Sequence, residues 1–166
     1  YLAVLVMSFF SWIVVPRTLA ACGFWVMAVA FVVHSAALIA RMYISGYPPV
    51  TNLYSSAIFI GWAVVGASFF VEWFLKNGIG NVLGSSVGMG TLLIAHYLAQ
   101  DDGSTLGVMQ AVLDTTFWLA THVVCITLGY AATFLAGALG MAYCCLAILK
   151  KENRKGLEQL GKVTYG

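Results

Sequence analysis

The chain has 166 residues, 61% of them hydrophobic and only 8% charged, and its mean hydropathy is +0.93. A water-soluble fold of this composition lacks the polar side chains to cover its surface, so the solvent for most of it is lipid, and a soluble domain is excluded. The net charge of +2 says little about partners, because about half of the charged residues fall after Leu149. Their placement bears on orientation instead.

Crossing a hydrocarbon core of about 30 Å takes roughly 20 apolar residues, so this length accommodates about five spans joined by short loops. The expected fold is an all-α integral membrane bundle over residues 1–149, followed by a basic tail over 150–166. The first span, 1–15, is already apolar from Leu2 onward, and an upstream segment is expected. It does not read as a signal peptide, because Pro16-Arg17 follows it and another span begins at once.

The second span, 18–40, holds no charge before Arg41. Ser45-Gly46-Tyr47-Pro48-Pro49 then forbids helix, since tandem prolines remove donors and push the preceding residue toward extended geometry. The third span, 53–75, has Thr51 or Asn52 placed to cap its start and Lys76-Asn77-Gly78 to close it. Glu72 is its one charge. The fourth span, 82–98, carries Gly84, Gly88 and Gly90, which let a neighbouring helix approach closely and place this span inside the bundle. Asp101-Asp102-Gly103-Ser104 opens a polar connection, and Leu106 to Leu113 reads as a short interfacial helix. The fifth span, 117–149, exceeds the hydrocarbon thickness, so it must tilt or project.

The cluster Lys150, Lys151, Arg154, Lys155 and Lys162 assigns the tail to the cytoplasm by the positive-inside rule. Counting back puts the N-terminus outside, the loops at Arg17 and Lys76 inside, and the acidic connection 100–116 outside. Arg41 falls outside against the rule. It is either a partner for an anionic group at the outer surface or a side chain snorkelling to headgroups.

Cys22, Cys125, Cys144 and Cys145 sit in apolar runs with no CxxC spacing and read as buried thiols. His34, His96 and His122 all fall in the outer half of the membrane, where an ionisable side chain is costly enough that function is the default hypothesis. His34 and Arg41, seven residues apart, share a helix face with about 10.5 Å of rise between them. That places a ligand and a carboxylate clamp in line. On the fifth span the stripe His122, Cys125, Gly129, Tyr130, Thr133, Gly137 and Gly140 is small or polar, opposite Val124, Leu128 and Leu135. Close helix packing explains it, and so does haem, whose flat macrocycle needs small residues beside an imidazole ligand. No HExxH spacing, nucleophile elbow, phosphate-binding glycine loop or basic and aromatic interleaving is present, so no catalytic residue is assigned and nucleic acid is not a partner.

Two segments carry a resemblance. They are Ser45-Gly46-Tyr47-Pro48-Pro49-Val50-Thr51-Asn52-Leu53-Tyr54-Ser55-Ser56 leading to Gly61-Trp62, and Phe117-Trp118-Leu119-Ala120-Thr121-His122-Val123 followed by Gly129-Tyr130-Ala131-Ala132. Together they resemble the CcsA (ResC) family of cytochrome c assembly proteins, over roughly residues 30–150. The resemblance implies cytochrome c maturation: haem b is the substrate, brought to the outer face and attached to the CxxCH motif of apocytochrome c. It implies His122 as an axial ligand of the haem iron. Implied partners are apocytochrome c and a second synthase component, fused or separate, in a bacterial-type plasma membrane or an organellar one. The tryptophan-rich W-D motif is absent, with Trp12, Trp25, Trp62, Trp73 and Trp118 scattered through five segments. Without it the isolated chain is not expected to be catalytically active. Many relatives carry a histidine in the span after the N-L-Y motif, where Ser68 stands here; His34 is the replacement ligand suggested by sidedness, with Arg41 set to neutralise a propionate. The rival readings are a b-type haem electron-transfer subunit, which needs paired histidines on facing helices, and a cofactor-free transporter half.

Sidedness is directly testable. A cysteine at Ser104 should label with an impermeant reagent in intact cells and one at Gly156 should not; the reverse pattern overturns the orientation.

Overall fold

A computed structural model of the chain describes residues 1–14, 16–76, 78–101, 105–107, 116–149 and 162. Its elements are α1 (Leu2–Ile13), α2 (Pro16–Ser45), α3 (Leu53–Leu75), α4 (Ile79–Asp101) and α5 (Thr116–Leu149). The protein is all-α and multi-pass: α2 to α5 each contain a segment long and apolar enough to cross a membrane. As described, α1 has 12 residues and covers about 18 Å, short of a full crossing. The interfacial helix expected over Leu106 to Leu113 and the basic tail fall outside the described residues, apart from the turn at 105–107 and Lys162.

Local chemistry sets the helix limits. Pro16 starts α2, where its missing N–H costs nothing. Arg41 does not end α2, because a charged side chain leaves the backbone ladder intact. The helix continues to Ser45 and stops at Gly46, whose φ of 70° is the left-handed conformation that glycine adopts freely. α3 closes at Lys76, also left-handed at φ 48°, with its N–H donated to the Glu72 carbonyl at 2.8 Å.

Burial is inverted relative to a soluble protein. Trp25, Phe70, Trp73 and Phe74 are each about 70% exposed or more, while Ser8, Ser55, Ser68, Asn81 and Ser85 are fully buried. In lipid an exposed aromatic ring costs little, whereas a polar group needs a partner inside the protein. Ser8, Ser68 and Ser85 therefore donate to carbonyls of their own helices, and Asn81 Nδ2 donates across to the Ala20 carbonyl of α2 at 3.1 Å. The same inversion corrects the reading of the cysteines. All four thiols are exposed on the bundle's exterior, where the apolar solvent removes any need to bury them.

The most extensive helix contact joins α3 and α4. A Cβ at Gly80 would lie 2.6 Å from the Ser68 carbonyl and the Glu72 nitrogen, one at Gly84 would clash with the Ser68 side chain, and one at Gly88 would lie 2.8 Å from Val65 Cγ2. Glycines spaced by four thus lay the backbone of α4 against α3. Gly90, read from sequence as part of this stripe, points into open space. At the turn, the Glu72 carboxylate accepts from the Gly78 and Gly80 N–H groups at 2.9 and 3.0 Å, filling the unsatisfied donors where α4 begins.

α1 and α2 cover one side of this hairpin through a cluster of Val4, Met27 and Val65. α5 covers another. Val123 and Val124 pack toward Leu38, Val50 and Phe59, and Leu135, Leu139 and Tyr143 pack toward Val71, Ile79 and Leu83.

Gly80→Ala should lower stability in detergent by about 1–3 kcal/mol through backbone overpacking. Gly90→Ala should be neutral or stabilise by up to about 1 kcal/mol through helix propensity. Thermal midpoints of the two variants decide, and equal midpoints would refute the glycine contact.

Candidate functional site at the Pro-Pro end of the bundle

The C-terminus of α2, the N-terminus of α3, the C-terminus of α4 and the start of α5 gather at one end of the bundle. Asn52 organises it. Its extended backbone, φ −152°, ends the Pro-Pro segment, and its Oδ1 accepts from the Ser55 N–H at 2.8 Å. Ser55 Oγ in return accepts from the N–H groups of Thr51 and Asn52, which completes a capping box. The cap expected at Thr51 or Asn52 is thus Asn52, and its side chain also bonds a neighbouring loop. Nδ2 donates to the carbonyls of Thr105 and Gly107 at 3.2 and 2.8 Å.

Arg41 reaches the same turn. Its Nη2 donates to the Thr105 carbonyl at 2.5 Å, and its guanidinium lies 5.1 Å from the centre of the Tyr54 ring. No carboxylate neutralises it among the described residues. Sequence alone could not find the Thr105 partner, because a backbone carbonyl 64 residues away leaves no residue-type signal. Tyr54 was in view as part of the N-L-Y segment.

The three histidines are not brought together. His34 is buried at 7% exposure, with its Nδ1 2.9 Å from the Tyr1 hydroxyl and its Nε2 without a hydrogen-bond partner among the described residues. Next to it, Ser35 Oγ accepts from Trp62 Nε1 at 2.8 Å, and the Trp62 ring stacks on Phe31, so α2 and α3 are held in register behind the imidazole. His96 is exposed on α4, its Nε2 3.0 Å from Gln100 Nε2. His122 is exposed within the first two turns of α5, with no hydrogen bond to its ring among the described residues. No group of three or more His, Cys, Asp or Glu converges among the described residues. His34 turns inward to α1 while His122 turns away from the bundle, which is not the facing pair that a b-type haem subunit needs.

The stripe on α5 also takes a definite direction. His122, Cys125, Gly129, Tyr130, Thr133 and Gly137 are exposed, and a Cβ at Gly129, Gly137 or Gly140 would meet nothing within 4 Å. The packed face is instead Val123, Val124, Thr127, Ala131, Leu135 and Leu139. Close packing within this chain therefore does not explain the small residues. Ser68 stands where many relatives were expected to carry a histidine. It is fully buried against Gly84, with no room for an imidazole.

No family model matches the chain, and no solved structure matches it. Curated proteins do. The chain is 29% identical over 157 residues to "Cytochrome c biogenesis protein CcsA" of Synechococcus sp. (strain CC9605), covering 95% of this chain and 50% of that protein. It is 30% identical over 127 residues to the protein of the same name from Gloeothece citriformis, covering 76% and 38%. It is 26% identical over 136 residues to "Protein NrfI" of Wolinella succinogenes, covering 81% of this chain and 14% of that one. The chain thus spans half or less of the length of these relatives. The paired motifs at 45–62 and 117–132 lie within the stretch that the resemblance covers, and over most of its own length this chain is a homologue of the CcsA cytochrome c biogenesis proteins.

Proposed function

We propose that the chain forms a membrane portion of a cytochrome c synthase, holding haem b at the outer face of a bacterial-type plasma membrane or an organellar one before its attachment to apocytochrome c. A second synthase component, fused or separate, completes the activity. The observation that carries this reading is His122. Its imidazole is exposed near the start of α5, with no hydrogen bond to the ring among the described residues, on a helix face whose glycines have open space in front of them. Haem is the substrate here, and the residues suit it. An imidazole with an unengaged ring nitrogen takes one axial position of the iron, and glycine-rich helix surface admits a flat macrocycle. Arg41 spends one described hydrogen bond on a neutral carbonyl, so the rest of its fork remains for a propionate.

His34 is a second candidate ligand in this reading, at a position separate from the one His122 offers. Its Nδ1 lies 2.9 Å from the Tyr1 hydroxyl and its Nε2 has no hydrogen-bond partner among the described residues, which suits an imidazole oriented for ligation. Burial means that iron reaches it only when the α1 face moves aside. The role proposed for these residues is to bind and orient haem.

In the intact protein, His122→Gly should reduce haem content and cytochrome c maturation by about tenfold or more, and added imidazole should partly restore both by filling the vacated coordination position. Haem absorbance and the yield of covalent cytochrome c measure the outcome. Normal haem and maturation in the variant, or losses indifferent to imidazole, would refute ligation by His122.

A further inference from the structure

The capping role of Asn52 does not use its whole side chain. Ser, Thr and Asp cap a helix N-terminus about as well, through an oxygen alone. What asparagine adds is an amide with two N–H donors, and here both are spent on one short turn. The capping box fixes the amide plane, because Oδ1 is committed to the Ser55 N–H and Ser55 Oγ is committed to the backbone on either side of the Thr51–Asn52 peptide. With the plane set, Nδ2 is aimed at the Thr105 and Gly107 carbonyls. Arg41 delivers a third donor to the Thr105 carbonyl, which then has both acceptor positions filled. The Arg41 guanidinium is itself steadied over the Tyr54 ring, in the first turn of α3.

Leu106 and Gly107 are exposed, so apolar burial contributes little to holding this turn. Its described anchorage is the three hydrogen bonds from α2 and α3. The turn belongs to the connection between α4 and α5, and α5 packs against α3 along its inner face. Residues 108–115 lead from this turn to α5, whose first turns also pack on α2 and α3 through Val123 and Val124.

We infer that Asn52 and Arg41 are positioning residues that pin the Thr105–Gly107 turn to the α2–α3 corner and thereby set the placement of the outer end of α5 and of His122. The last step rests on the proposed role of His122; the pin itself does not.

The test uses the intact protein with its cysteines replaced by serine, reconstituted in lipid nanodiscs, with spin labels on cysteines at Tyr43 and Phe117. Both sites are exposed and lie on α2 and α5. The parent should give one narrow distance distribution. Asn52→Ser keeps a competent cap and loses both amide donors, so it should retain helical content and thermal midpoint while the distribution broadens or shifts by several ångström. Arg41→Lys, which keeps the charge and loses the planar fork, should broaden it to a smaller degree. Haem is read in parallel from the Soret band and the low-spin EPR signature, and Asn52→Ser should weaken both. If Asn52→Ser keeps the parent distribution, the pin is overturned, since a residue that only caps is replaced well by serine. If the distribution broadens while haem content and spectra stay at parent values, the link from the pin to His122 is overturned and the pin stands. A distribution unchanged in Arg41→Lys but broadened in Asn52→Ser assigns the pin to Asn52 alone and overturns the part given to Arg41.

Discussion

A polar group inside a bilayer has no water to fall back on, and this constraint organises nearly every specific contact in the bundle. Serine hydroxyls on α1, α3 and α4 turn back to carbonyls of their own helices, and Asn81 bridges α4 to α2. Glu72 is the sharpest case. A lone carboxylate on an apolar helix is costly, yet two backbone N–H groups at the start of α4 meet it, so the charge completes the α3–α4 turn and needs no basic partner. Glu72, the one charge of its span, thus has a structural task.

Packing and polarity divide the bundle between its two ends. Near the Glu72 turn, glycines at 80, 84 and 88 bring α4 onto α3 and leave no room for a ligand, which also explains why Ser68 is walled in. At the Pro-Pro end Leu38, Val50 and Phe59 pack with Val123 and Val124, and Arg41 and Asn52 donate to carbonyls of the 105–107 turn. The proposed haem ligand lies beside Val123 in sequence, at this end.

The α5 face links packing to the proposed function. Small residues on a membrane helix ordinarily mark a neighbouring helix. Here the stripe looks away from the four other helices, and the interior face is built from valine, leucine, alanine and threonine. The four exposed cysteines follow from the same solvent. Lipid does not discriminate between a buried and an exposed thiol as water does, so a rule learned from soluble proteins misplaces them.

Much was legible in the sequence because it depends on local chemistry or on composition. The hydropathy of the runs, the Pro-Pro break, the asparagine cap and the Lys76–Gly78 stop are each decided by a few neighbouring residues, and the all-helical membrane fold follows from them. Where α2 ends was misread, since Arg41 interrupts hydropathy without interrupting backbone hydrogen bonding. The three histidines were placed correctly on helices, but which way each one faces depends on helix rotation, and a sequence apolar on all sides does not encode that. Tertiary structure alone turned His34 toward Tyr1 and His122 away from the bundle. It alone joined Arg41 and Asn52 to Thr105, because a backbone carbonyl is the same in every residue and only the folded chain determines which one arrives.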